Sequence, residues 1–149
     1  HTLAHAVELF RRAKRTCEYY YVISDGKGPA AAGVRATPEV FEVIGPGQAH
    51  PRLPTPVQDA VVLSAGSRYA ALIGRIRKAY GKIDEKTAMD LMRRPVAMKS
   101  NLHDVLFVPQ KLRFYVANAR GRHPACDQPY RHYDLRAILA EMAARPDAP

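Results

Sequence analysis

The chain has 149 residues, 47% of them hydrophobic and 25% charged, with a formal net charge of +9. That length makes one ordinary domain, able to bury about two thirds of its unfolded surface. The composition excludes a disordered chain, no apolar run reaches the ~18 residues that a membrane span requires, and no signal-peptide pattern stands at the start.

Residues 3–15, "LAHAVELFRRAKR", place Leu3, Ala6, Val7 and Phe10 at helical spacing behind Thr2, a ready N-cap. Residues 1–13 already read as helix and the chain opens at His1, so a processed chain or a piece of a longer one is expected. The period then changes to two. In "CEYYYVIS" (17–24) the sets Tyr19, Tyr21, Ile23 and Tyr20, Val22, Ser24 point opposite ways, and both are bulky. This predicts a strand near the middle of a sheet, covered on at least one face. Cys17, at its start, is either a nucleophile activated by Lys14 and Arg15 or a small apolar residue packed among the tyrosines. Placement on a covered strand favours the structural role.

Asp25-Gly26 supplies a turn, and "AAAGVRA" and "VFEVI" read as two more strands broken at Thr37-Pro38. Short connections make the three an antiparallel meander. The stretch "GPGQAHPRLPTPV" carries Pro46, Pro51, Pro54 and Pro56, a density that favours an extended surface loop. From Ser67, read as an N-cap, the spacing of Tyr69, Leu72, Ile73, Ile76 and Tyr80 predicts a helix ended by Gly81. Asp84 caps another, stopped by Pro95. "NLHDVLFV" and "LRFYVANA" form a hairpin through Pro109-Gln110-Lys111, and a polar loop with "HPACDQPY" leads to a last helix near Asp134. The tail "RPDAP" is expected to fray. Strands and helices in blocks predict an α+β fold, an antiparallel sheet packed by helices, over a single domain of residues 1–149.

Two cysteines 109 positions apart form no CxxC pair or disulfide framework. Reduced thiols in a cytoplasmic protein are the expectation, with a single bridge left open. The arginines and lysines are scattered over expected solvent faces, which describes a solvated basic surface and disfavours nucleic acid as a partner. No Gly-rich phosphate loop, zinc spacing or G-x-S-x-G elbow occurs, and no cofactor, metal or membrane partner is expected. His123 and Cys126 lie three apart without a second pair to complete a metal site. Three places could still carry chemistry. Ser64, Ser67 and Arg68 stand at a helix start, where backbone N–H groups and a guanidinium can hold an anion. Asn101, His103 and Asp104 stand at a strand start, where a His can bind substrate or move a proton. His50 lies in the proline-rich loop. The ordinary alternatives are an N-cap with a surface arginine, and histidines bonded to nearby backbone or exposed to water.

The order "RTCEYYYVISDGKG", "DAVVLSAGSRYAALIGRI", "YGKID", "RRPVAMKSNLHDVLFVPQKLRFYVANA" and "QPYRHYDL" resembles the C-terminal half of the isopenicillin N acyltransferase-like family of N-terminal-nucleophile hydrolases, over nearly the whole chain. The resemblance implies an αββα sandwich and a precursor that cuts itself to expose an N-terminal Cys. That Cys attacks linear amides, its own α-amino group acting as base, beside an oxyanion hole. The nucleophile would lie upstream of His1, so no residue of this chain is catalytic. The implied partners are a small-molecule amide substrate and the N-terminal segment of the same precursor. Arg68 is similar in position to a pocket arginine of related amidases, and Asn101 and His103 match a recurrent motif; these three are the substrate-binding candidates. One departure stands out: "GQAHPRLPTP", where the family tends to carry an Asn for the oxyanion hole, contains none. It motivates a second expectation, a non-catalytic binding module of the same fold whose basic surface engages an anionic partner.

Overall fold

In unit one, β-branched and aromatic residues of alternating direction build a sheet, and helices cover part of it. A computed structural model describes residues 2–28 and 30–145, in two compact units, His1–Ile83 and Asp84–Pro149, where one domain was expected. The fraying expected of the tail falls on residues outside the described set. Helix α1 (Leu3–Arg12) starts at Thr2, whose hydroxyl accepts from the His5 N–H at 3.3 Å, and ends on Arg11 and Arg12, where cations favour the helix dipole. Beyond it Arg15 donates to the carbonyls of Phe10 (2.8 Å), Ala13 (2.9 Å) and Thr37 (2.7 Å), tying the helix end to the sheet. Several of the basic side chains are therefore structural.

Strands β1 (Tyr19–Asp25), β2 (Ala30–Ala36) and β3 (Phe41–Ile44) form the expected antiparallel meander, in that order. The Asp25 carboxylate accepts from Lys27 N at 2.9 Å and Leu3 N at 3.1 Å, fixing the turn and the first helix together. These bonds hold its pKa below the usual carboxylate range. At the second corner Thr37 Oγ1 accepts from Val40 N at 2.9 Å. The central strand is the buried one: Ala32, Val34 and Ala36 are in the core, whereas no residue of β1 is buried. The expectation that the tyrosine-rich strand sits mid-sheet is thus corrected for the described residues; it is an edge. Cys17 is corrected with it, since it lies in a bend before β1 and is exposed.

Helix α2 (Gly66–Ala79) buries Tyr69, Leu72 and Ile73, and Ile44, Leu53, Val57, Tyr69 and Ile73 form one core cluster. The proline-rich segment is held to it by Tyr69, whose hydroxyl donates to Thr55 O at 2.8 Å and accepts from Thr55 N at 3.3 Å. The N-cap is Ala65, without a side-chain bond, so Ser67 is not the cap. Gly66 carries φ +55, which glycine adopts without strain, and the helix starts two residues earlier than the serine signal indicated.

In unit two, Asp84 accepts from Thr87 N at 2.7 Å and starts α3 (Glu85–Leu91). The expected hairpin forms as β4 (His103–Val108) and β5 (Arg113–Asn118), each shorter than the sequence indicated, with Leu112 at φ +50 in its turn rather than in the second strand. A third strand, β6 (Arg131–Asp134), pairs with β5 where a loop was expected. Its sequence, "RHYD", is too short and polar for the alternation to register; β5 supplies the hydrogen-bonding edge that orders it. Asp134 caps α4 (Leu135–Ala143), accepting from Arg136 N and Ala137 N. Among the described residues the fold is therefore α+β with two three-stranded antiparallel sheets. Among the described residues no helix is long and apolar enough to cross a membrane.

Candidate functional site

The hairpin register decides what surrounds His103. Pairing about the 109–112 turn, which Leu112 closes, sets His103 opposite Asn118 and Asp104 opposite Ala117. His103 is exposed, and its Nδ1 lies 2.8 Å from Asn118 Oδ1. With that oxygen accepting, the ring carries its proton on Nδ1 and leaves Nε2 as an acceptor.

Asn101, two residues earlier, joins three segments. Its Nδ2 donates to His103 O at 2.8 Å, its Oδ1 accepts from Cys126 N at 2.9 Å, and its own carbonyl accepts from Ala125 N at 2.8 Å. The side-chain amide thus satisfies backbone groups on both sides of it. Sequence reasoning placed Asn101 and His103 in one motif, and the structure brings them together with the "PAC" turn.

Beneath this lies a group the sequence reading passed over. Asp104 is buried, and its Oδ2 is without a hydrogen-bond partner among the described residues. Burial raises the Asp104 pKa, outweighing the nearby Tyr130 hydroxyl and Val105 N–H, which favour the charged form. The Tyr130 pKa is also raised, by burial first and then by the Asp104 hydrogen bond and charge. The available signal was a lone carboxylate inside the apolar run "LHDVLFV". Such a residue on a strand needs a buried partner, but its identity depends on the fold.

Tyr130 and Cys126 also line an open cleft of about 520 Å³ that includes Lys86, Arg93, Tyr115 and His132. Tyr115 and His132 face each other across β5 and β6 with ring centroids 5.0 Å apart. The acids at its rim are neutralised: Asp90 by Arg93 at 2.9 Å and Asp127 by Arg94 at 3.0 Å. Cys126 is buried, and burial together with the Asp127 charge raises its thiol pKa. A thiol so placed stays protonated at neutral pH and is no nucleophile. The arrangement can hold backbone segments, accept a proton at His103 Nε2 and admit a small molecule. Among the described residues no three His, Cys, Asp or Glu side chains gather as a metal set.

The other predicted residues lie in the first unit. Arg68 is half-buried in the first turn of α2. His50 belongs to an ion network on the sheet. Arg35 bonds Glu18 at 2.8 Å and Glu42 at 2.9 Å, His50 Nε2 lies 3.4 Å from Glu42, and Arg52 reaches Glu18 at 3.2 Å. The Arg35 hydrogen bonds hold both glutamates below their usual pKa. His50 is thus a loop-to-sheet tie in this arrangement. No family model matches the chain, and neither the curated proteins nor the solved structures compared with it yield a match.

Proposed function

We propose that the chain is the C-terminal portion of an N-terminal-nucleophile amidohydrolase or acyltransferase acting on linear amides, within an αββα sandwich. One observation carries the reading. Two stretches bearing the resemblance, "SNLHD" and "VANA", meet across the hairpin: His103 Nδ1 lies 2.8 Å from Asn118 Oδ1, and Asn101 Nδ2 donates to the His103 carbonyl at 2.8 Å.

In this reading the nucleophilic Cys lies outside residues 1–149. Its sulfur bonds to the amide carbonyl carbon while its α-amino group takes the thiol proton and passes it to the leaving amine. Water or a second amine then cleaves the thioester. The substrate-binding candidates of this reading are Arg68 in the first unit and, separately, Asn101 and His103 in the second, where Asn101 holds the His103 segment in register. The second reading, a non-catalytic module whose basic surface engages an anionic partner, draws on the net charge of +9 and the absence of Asn from residues 45–58.

The test is expression of the full-length precursor with the mature N-terminus sequenced and a panel of acyl amides assayed. A new N-terminal Cys and amide hydrolysis, both abolished when that Cys is replaced by Ala, are expected. An uncleaved precursor that hydrolyses none of the panel would overturn the enzyme reading. Salt-dependent capture on an anionic matrix by that same inactive protein would then favour the binding module.

A further inference from the structure

The cleft of the second unit is built from three pieces whose chemistry agrees. One face of α3 contributes Lys86, Met89 and Asp90, at i, i+3 and i+4. The sheet contributes Tyr115 and His132, opposite each other in β5 and β6 with ring centroids 5.0 Å apart. The 126–130 segment contributes Tyr130. A volume of about 520 Å³ falls in the range of small-molecule sites, whose usual lining is aromatic and apolar with a few polar groups.

The charges of this lining do not cancel. Asp90 is matched by Arg93 at 2.9 Å, and Asp127 by Arg94 at 3.0 Å. Lys86 is exposed and makes no ion pair among the described residues. Asp84, close to it in sequence, is turned to the start of α3, where it accepts from Thr87 N at 2.7 Å. Behind the lining, the strand register puts Asp104 on the same sheet face as Tyr115 and His132. Its Oδ2 has no hydrogen-bond partner among the described residues. Burial disfavours the charged form of Asp104 and of the neighbouring Cys126 thiol, so neither is suited to balance the lysine. One uncompensated cation therefore stands beside an aromatic surface.

We propose that this cleft binds a planar aromatic monocarboxylate, its ring against Tyr115 and His132 and its carboxylate paired with Lys86. The alternatives fit less well. A phosphate ester brings close to two negative charges against a single cation. An amine meets Lys86 as a like charge. A saturated acid leaves the faces of Tyr115 and His132 without a ring to stack on them. The lining comes entirely from the second unit, so the inference stands apart from the proposed function and from any residue outside the chain.

Titration of the full-length protein with cinnamate, followed by amide chemical shifts, tests this. Saturable shifts at Tyr115, Tyr130 and His132 are expected. Cinnamyl alcohol keeps the ring and lacks the charge, and should bind about tenfold more weakly. Cyclohexanecarboxylate keeps the charge and lacks the aromatic face, and should bind several-fold more weakly. Lys86→Ala should weaken cinnamate about tenfold and leave the alcohol unchanged. The side chain is exposed, so the spectrum of the folded protein should persist. His132→Ala should weaken acid and alcohol alike, by several-fold. Absence of saturable shifts at these amides up to about 10 mM cinnamate overturns the proposal. So does equal affinity for the acid and the alcohol, or cinnamate binding that survives Lys86→Ala undiminished.

Discussion

The two sheets have the same strand count and the same antiparallel order, yet they place their polar groups oppositely. The first sheet carries its charges on the outside, in the Glu18–Arg35–Glu42 network, with an apolar centre at Val34. The second buries a carboxyl, Asp104, under Tyr130 and leaves Phe107 66% exposed on the opposite face. On that face the Phe107, Phe114 and Tyr133 rings follow one another across the three strands, 6.1 Å and 5.0 Å apart. The difference teaches where each unit is vulnerable. Solvated charges can lose a partner and be rescued by water, whereas buried polar groups cannot.

That contrast can be broken at several points, the largest first. Asn101→Ala removes an exposed bond to His103 O and a part-buried bond to Cys126 N, leaving that N–H unmatched. It should destabilise the second unit by about 1–3 kcal/mol, read by denaturant unfolding of the full-length protein. No loss would show that the clamp is ornamental. Gly33→Ala probes the apolar centre of the first sheet. A Cβ there would meet Val61 Cγ1 at 2.7 Å, and overpacking of this kind costs about 1–3 kcal/mol. A neutral result would mean that the 61–63 segment yields.

The units should also respond to pH with opposite signs. The Asp104 pKa is raised on folding, so its stabilising contribution is present below the usual carboxylate range and is lost as pH rises through the raised value. Glu18 and Glu42 are lowered, so theirs is present above the usual range and is lost as pH falls through the lowered values. Asp104→Asn should therefore remove a loss of stability on the alkaline side of that range, and Glu42→Gln a loss on the acid side. Stability measured against pH for both variants checks this, and slopes of the same sign would contradict it. The smallest effect is expected at Cys17, which is exposed with only a long contact to Thr16 Oγ1 at 3.7 Å. Cys17→Ser should leave stability and any activity of the full-length protein unchanged, and inactivation without unfolding would restore it as a chemical candidate.

Local signals were legible wherever a short-range bond produces them. Thr2, Asp84 and Asp134 cap the helices that their spacing predicts, because an N-cap bond spans only two or three residues. The hairpin and its turn were legible, but its register was not: counting outward from Pro109–Lys111 sets His103 opposite Ala117, and Leu112, at φ +50, joins the turn and moves the partner to Asn118. The Asp104–Tyr130 pair was not, since nothing local indicates which distant side chain meets a buried carboxyl. Strand β6 was not, because its order comes from β5 rather than from its own four residues. The cap of α2 was misplaced because the N-cap is Ala65, which makes no side-chain capping bond and so leaves no sequence signal, whereas Ser67 two residues on carries one.

By itself, then, the sequence determined the α+β class, the meander, the hairpin and most helix starts, since periodicity and capping act over a few residues. Only the tertiary structure decided which strands are edges, that Cys17 faces solvent, and that Asn101, Cys126, Asp104 and Tyr130 converge. Those outcomes depend on which surfaces meet across long stretches of chain, and the burial that raises the Asp104 pKa exists only once they have met.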